Sequence, residues 1–201
     1  MRKLISILLI TVGAGFCIYA AWQFGVSYFQ QDKMLKEAQA FVSDEIIPRG
    51  ETTETTTETT TENVEPIVYS DLKEGDSIGV LYIPRLDREI PIIEGTHEDE
   101  LAKGVGHFRS TALPGQNDQI LLSGHRDTVF RQFGELEHGD EIHVKMKTGT
   151  FIYTIFDTEI VDADDRTVIR STAPEEILTL STCYPFSYIG NSPDRYIIYA
   201  K

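Results

Sequence analysis

Cys183 is the residue whose chemistry most needs an explanation. The chain of 201 residues has two cysteines, and the other, Cys17, lies inside an apolar N-terminal segment. With Cys17 in that segment, the Cys183 thiol has no disulfide partner in its own domain. Exported proteins rarely keep a lone thiol unless its reactivity is used. Cys183 is therefore a candidate nucleophile.

A thiolate that attacks a carbonyl needs a charge that stabilises it, an acid for the departing amine and a donor for the oxyanion. Cys183 closes the strand-like run TLSTC, so no helix dipole stabilises its thiolate. Of the five histidines, His125 is the best candidate partner, because it stands where the apolar run QILLSGH enters a polar loop. The other four histidines lie in polar or turn-like surroundings, which predicts solvated or locally hydrogen-bonded side chains.

Arg195 is the third candidate site residue. It opens the run RYIIYA after the turn-rich stretch IGNSPD. If the strands of Cys183 and Arg195 pair, their loop-facing ends meet, and the guanidinium brings a fork of N–H donors to the thiol. Taken alone, Arg195 would be a solvated charge at a strand end.

Strands must position these three residues. Short β-branched and aromatic runs between turn signals predict strands, at residues 77–83, 88–93, 119–125, 141–147, 150–161, 177–183 and 195–201. Helical patterns are few and short, at residues 96–104 and 173–178. Many strands with Gly and Pro turns favour an all-β closed barrel or a sandwich over a parallel α/β sheet.

The N-terminal third of the chain has a different composition. Residues 1–3 form a basic cytoplasmic tail, and residues 4–24 an uncharged apolar stretch of roughly 30 Å as a helix, which predicts a single transmembrane anchor. The alternative is a cleaved signal peptide ending before Ala21. Residues 25–62 form a stalk, with a short amphipathic helix over 32–47 and a Thr/Glu-rich linker. Residues 63–201 form the folded domain, outside the membrane.

The charge of the chain excludes one class of partner. Asp and Glu total 32 against 18 Lys and Arg, a formal charge of −14, whereas phosphate binding needs a basic surface. Nucleic acid is therefore not a predicted partner. The acidic runs at 98–100 and 162–165 lack the ligand spacing of a calcium loop, so they are interpreted as solvated surface. We predict no metal and no cofactor.

Three segments together resemble the signatures of the sortase family. They are SGH with His125, TLSTC with Cys183 and DRYIIYA with Arg195, and their order along the chain also matches. The resemblance covers about residues 75–201. The context GHRDT with TLSTCYPF is most similar to class D sortases, and no Asp-Pro-aromatic lid motif of class C precedes the first strand.

The resemblance implies an eight-stranded β-barrel and a membrane-anchored cysteine transpeptidase. It implies Cys183 as nucleophile, His125 as general acid and base, and Arg195 as the group that positions substrate and stabilises the oxyanion, with Thr182 in a weaker substrate contact. The implied partners are exported proteins with a C-terminal LPxTG-like sorting signal, and a peptidoglycan-precursor or pilin amine as acceptor.

Two other functions stay open from the residues. A secreted cysteine hydrolase of another fold would release acid products even when amines are present. A non-catalytic, membrane-anchored β-domain would bury Cys183 as an inert thiol.

Overall fold

The computed structural model describes residues 2–43, 72–187, 190 and 192–201. The Thr/Glu-rich linker and the last part of the predicted amphipathic helix lie outside these described residues.

Eight strands close into one barrel. They are β1 (Ser77–Ile83), β2 (Arg88–Glu94), β3 (Val105–His107), β4 (Gln119–Ser123), β5 (Glu141–Met146), β6 (Gly149–Asp162), β7 (Ile177–Tyr184) and β8 (Asp194–Ala200). Their order around the barrel is β1-β2-β3-β4-β7-β8-β6-β5, and β5 pairs with β1 to close it. The pairs β2–β3 and β4–β7 are parallel, and the other pairs are antiparallel.

The barrel interior is filled by aliphatic and aromatic side chains. Strands such as β5 alternate buried and exposed residues, because successive side chains point to opposite faces of the sheet. Phe130 and Phe133, on the connection after β4, are fully buried in the same core and stack with ring centroids 3.5 Å apart. This connection is therefore held against the barrel immediately after His125.

The predicted strands are confirmed to within two residues at each end, and the barrel replaces the sandwich alternative. Strand β3 was missed because it has three residues and carries glycine where a strand usually has a β-branched side chain. A Cβ on Gly106 would lie 2.4 Å from the carbonyl oxygen of Gly95. Because the close approach of the Gly95 backbone requires glycine at position 106, this segment lacks the β-branched residue that would have predicted a strand.

The predicted helix over 173–178 is wrong. The chain makes a turn in which the Glu175 amide donates to the Thr172 carbonyl, and β7 has begun by Ile177. The Asp118 carboxylate accepts the backbone N–H groups of Thr172 and Ala173, which holds the segment in this turn. The other helical segment is shorter than predicted, with α2 at Glu98–Leu101.

Among the described residues before β1, one helix is present, α1 (Arg2–Ser43). The sequence predicted two helical segments here, and the structure joins them. The C-terminal part of α1 packs on β1 and β2: Ala38 is fully buried, and the Gln39 amide donates to the Glu89 carboxylate. Within the described residues, no helix combines the length and the apolar character needed to cross a membrane.

Candidate active site

The parallel pair β4–β7 brings two of the candidate site residues to one rim of the barrel. Both strands run toward this rim, so the residues that follow them emerge side by side, with Ser123 opposite Ser181. The Gly124 amide donates to the Ser181 carbonyl at 3.1 Å. The Thr182 hydroxyl donates to the Gly124 carbonyl at 2.7 Å. These two bonds fix the backbone of the His125 strand end against that of the Cys183 strand end.

Gly124 must be glycine for this arrangement to form. A Cβ at this position would lie 2.7 Å from Val129 Cγ2 and 2.8 Å from the Phe130 ring. Both neighbours are buried side chains of the connection that follows His125. Any larger residue at position 124 would push this connection, and with it His125, away from the barrel.

The antiparallel pair β7–β8 adds the third candidate residue. Cys183 and Arg195 are direct partners in the strand register. The Arg195 guanidinium donates to the backbone carbonyl of Asp194 at 3.1 Å. The pairing that the sequence suggested for these strands is therefore present.

One cavity of about 550 Å³ is lined by all three candidate residues. One side is formed by the ends of β4, β7 and β8. The connection between β6 and β7 also lines the cavity, through Ala163, Asp165, Arg166, Val168 and Ile169. Thr96, Leu101 and Phe108 complete the lining. Cys183 is a free, partly exposed thiol, so it is open to this cavity. Among the described contacts, no hydrogen bond or ion pair joins Cys183 to His125.

The arrangement has the parts that acyl transfer needs: a thiol, an imidazole and a guanidinium around one open cavity. Similarity to known proteins decides the family. The sortase family model, described as a sortase domain, matches residues 81–201. This chain belongs to the sortase family.

Its relatives include sortase D of Bacillus subtilis strain 168, which is 40% identical over 201 residues and covers 100% of this chain and 98% of that protein. A solved sortase D5 transpeptidase of Clostridium perfringens superposes with a TM-score of 0.65 at 27% identity, over 86% of this chain and 97% of the other. The catalytic domain of Bacillus anthracis SrtD is 45% identical with a TM-score of 0.57, over 67% and 92% of the two chains. The protein is thus a sortase-type cysteine transpeptidase with the eight-stranded barrel that the resemblance implied.

Thr182, for which the resemblance implies a hydroxyl or backbone contact beside the substrate, lines the same cavity. Its side chain is buried, and its hydroxyl donates to the Gly124 carbonyl. This hydrogen bond uses the hydroxyl proton of Thr182 within the barrel and joins the two strand ends.

A buried pair of polar side chains, His107 and Glu94, was missed by sequence reasoning. His107 was interpreted as solvated or locally bonded, but it is 2% exposed. Its Nδ1 lies 2.7 Å from the Glu94 carboxylate and its Nε2 lies 3.0 Å from the Ala112 carbonyl oxygen. Both ring nitrogens of His107 therefore have a hydrogen-bond partner inside the barrel. Arg109 also contacts Glu94.

Arg126 was missed as well, although it directly follows His125. Its guanidinium donates to the Pro185 carbonyl at 3.1 Å and to the Gly190 carbonyl at 3.0 Å. It therefore connects the segment after β4 with the segment after β7. The dipeptide His-Arg in GHRDT carries no signal for this role, because the acceptors are backbone carbonyls about sixty residues away.

The described residues contain no group of three or more His, Cys, Asp or Glu side chains placed to hold a metal ion.

Proposed function

We propose that this sortase cleaves an LPxTG-like sorting signal after its threonine and transfers the protein to an amine acceptor. The main support is the cavity at the barrel rim, which is lined by the Cys183 thiol, the His125 imidazole and the Arg195 guanidinium. The same cavity is lined by residues of the β6–β7 connection and has a volume of about 550 Å³, so part of a peptide can lie beside the thiol.

In the first half of the proposed reaction, Cys183 Sγ attacks the threonine carbonyl carbon. Arg195 stabilises the negative charge that develops on the carbonyl oxygen, as donors placed at an oxyanion do. His125 gives a proton to the departing amine, the peptide bond breaks, and a thioester joins the threonine to Cys183. In the second half, the acceptor amine attacks the thioester, His125 takes a proton from that amine, and the carbon–sulfur bond breaks to release Cys183 as the thiolate.

The proposed donors are exported proteins with a C-terminal sorting signal, and the proposed acceptor is a peptidoglycan-precursor amine or a pilin lysine. The test uses the full-length chain, an LPxTG-type peptide and intact-protein mass spectrometry, with and without an added amine. We expect a covalent adduct on Cys183 that the amine converts into a new amide. Release of the free acid alone, even with amine present, would identify a hydrolase, and a thiol that forms no adduct and alkylates slowly would identify an inert module.

Arg195 is expected to contribute to acyl transfer through bidentate donation from its guanidinium N–H groups. Arg195→Ala should lower kcat/KM for acyl transfer at least about 100-fold, as loss of one oxyanion donor does. Arg195→Lys should not restore the rate, because an ammonium group lacks the planar fork of donors. Steady-state kinetics with the same peptide measure both variants, and Arg131→Ala, an exposed arginine outside the cavity lining, is the control. Near-normal turnover of Arg195→Lys would contradict the bidentate role.

We also propose that residues 4–24 attach the catalytic domain to the outer face of the cell membrane, with the N-terminus in the cytoplasm. The support is the uncharged sequence, together with exposed apolar side chains at Leu9, Phe16, Ile18 and Trp22. The full-length chain should remain in the membrane fraction after an alkaline wash. A chain that starts at residue 25 should be released, and release of both chains would contradict the anchor.

A further inference from the structure

One wall of the cavity is the connection between β6 and β7, and it has no helix or strand of its own over residues 163–176. Val168 and Ile169 of this wall line the cavity that contains Cys183. Val168 also packs on Ile197 and Tyr199 of β8. A wall without regular secondary structure needs other partners for its backbone groups, because buried N–H and C=O groups must be paired.

The side chain of Gln119, the first residue of β4, supplies hydrogen-bond partners for the backbone groups of this wall. Its side chain is 2% exposed. Its amide nitrogen donates to the Val168 carbonyl at 2.7 Å and to the Thr179 hydroxyl at 3.0 Å. Its amide oxygen accepts the backbone N–H of Arg170 at 2.9 Å. The carboxamide therefore binds both a donor and an acceptor of the wall backbone.

Asp118 holds the part of the same connection that lies farther from the cavity. Its carboxylate accepts the N–H groups of Thr172 and Ala173 and the Ser171 hydroxyl. The pKa of Asp118 lies below its ordinary value, chiefly because the Gln119 and Thr172 amides donate to the charged form. Asp118 therefore fixes residues 171–173, whereas Gln119 fixes the segment beside the cavity.

A glutamine is the side chain that fits this position. A leucine of similar volume would leave the Val168 carbonyl and the Arg170 amide without partners, which is costly for buried groups. An ionised glutamate could still accept from Arg170, but it could not donate to Val168. The position therefore needs one amide donor and one amide acceptor in a fixed orientation.

The same strand also carries the catalytic candidate at its other end. Gln119 begins β4, and His125 follows the end of that strand. Gln119 pairs in register with Ile177 of β7, the strand that presents Cys183. The wall is thus fastened to the two strands that present the imidazole and the thiol, so its distance from these groups is set by the barrel.

We infer that Gln119 is a positioning residue that holds the Val168–Arg170 wall and thereby sets how tightly the sorting peptide binds. This inference rests on the proposed function. The residue touches neither substrate nor reacting atoms, so its loss should weaken peptide binding and leave the chemistry of the thiol unchanged.

The test compares full-length Gln119→Leu and Gln119→Glu with the unchanged chain. Both variants should raise KM for the sorting peptide about 10-fold or more, because small misplacements of a binding wall have effects of this size. The kcat and the rate of Cys183 alkylation without peptide should stay within about 2-fold. Deuterium exchange of the peptide that contains Arg170 should rise at least about 10-fold in Gln119→Leu, since that amide loses its acceptor.

Thr179→Val is the matched control. It removes the third partner of the Gln119 amide and leaves both hydrogen bonds to the wall, so KM should stay within about 2-fold of the unchanged chain. Unchanged KM and unchanged exchange in both Gln119 variants would overturn the inference. A fall of equal size in kcat and in the Cys183 alkylation rate would also overturn the inference, because such a fall would indicate a general loss of structure.

The same measurements separate this inference from the proposed function. If the unchanged chain forms no acyl-enzyme, the proposed function fails. In that case only the deuterium exchange at Arg170 tests whether Gln119 positions the wall. Faster exchange in Gln119→Leu than in the unchanged chain would support this role, and equal exchange would refute it.

Discussion

Replacing Cys183 by alanine is expected to abolish the acyl-enzyme and to lower transfer of the sorting peptide by at least about 10⁴-fold. In the proposed reaction the threonine becomes attached to this thiol, so no other side chain of the cavity can replace it. Losses of this order or greater follow removal of the nucleophile from hydrolases that work through acyl intermediates. Intact-protein mass spectrometry should find no adduct on the variant after long incubation with peptide.

The second cysteine of the chain provides a matched control for this result. Cys17 lies exposed on α1, far along the chain from the barrel, so Cys17→Ala should form the adduct at the rate of the unchanged chain. An adduct on Cys183→Ala, or its loss in Cys17→Ala, would place the nucleophile elsewhere.

Replacing His125 by alanine is expected to have the second largest effect, a loss of about 10²- to 10⁴-fold in kcat for transfer. The imidazole acts twice in the proposed reaction, as the acid for the departing amine and as the base for the incoming amine. Both half-reactions should therefore slow. Rapid-quench measurement of acyl-enzyme formation, followed by its decay with added amine, tests each half separately.

His138→Ala is the corresponding control, because His138 is an exposed histidine of the connection between β4 and β5 and does not line the cavity. Its two half-reactions should proceed at the unchanged rates. If His125→Ala slowed only one half-reaction, a single imidazole could not be the proton carrier for both.

Local sequence patterns were sufficient to predict most of the barrel. Strand β1 matches its predicted bounds at both ends, because the run SIGVLYI has strand-forming residues between clear turn signals. Local sequence patterns gave wrong or missing predictions where tertiary contacts determine the structure. Val105–His107 becomes a strand by pairing with β2 through glycine, and residues 173–176 form a turn because Asp118 captures their amides.

The candidate site could be predicted only in part for the same reason. His125, Cys183 and Arg195 stand at strand ends that local patterns reveal. The buried pair of His107 and Glu94 depends on the parallel register of β2 and β3, which places these residues opposite each other. The two wall partners of the Gln119 side chain, the Val168 carbonyl and the Arg170 amide, lie about fifty residues along the chain. No local pattern reports contacts that depend on how distant strands pair.

The parallel pairing of β4 with β7 has a consequence for how the chain folds. Thr182 and Gly124, which join the two strand ends, are 58 residues apart in sequence. Contacts of this separation carry a large loop-closure entropy and form slowly compared with hairpins. The hairpin of β5 and β6 can form locally, but the thiol, imidazole and guanidinium meet only when the barrel has closed. An unfolded chain therefore carries an ordinary cysteine, and it gains its acyl-transfer chemistry in the last stage of folding.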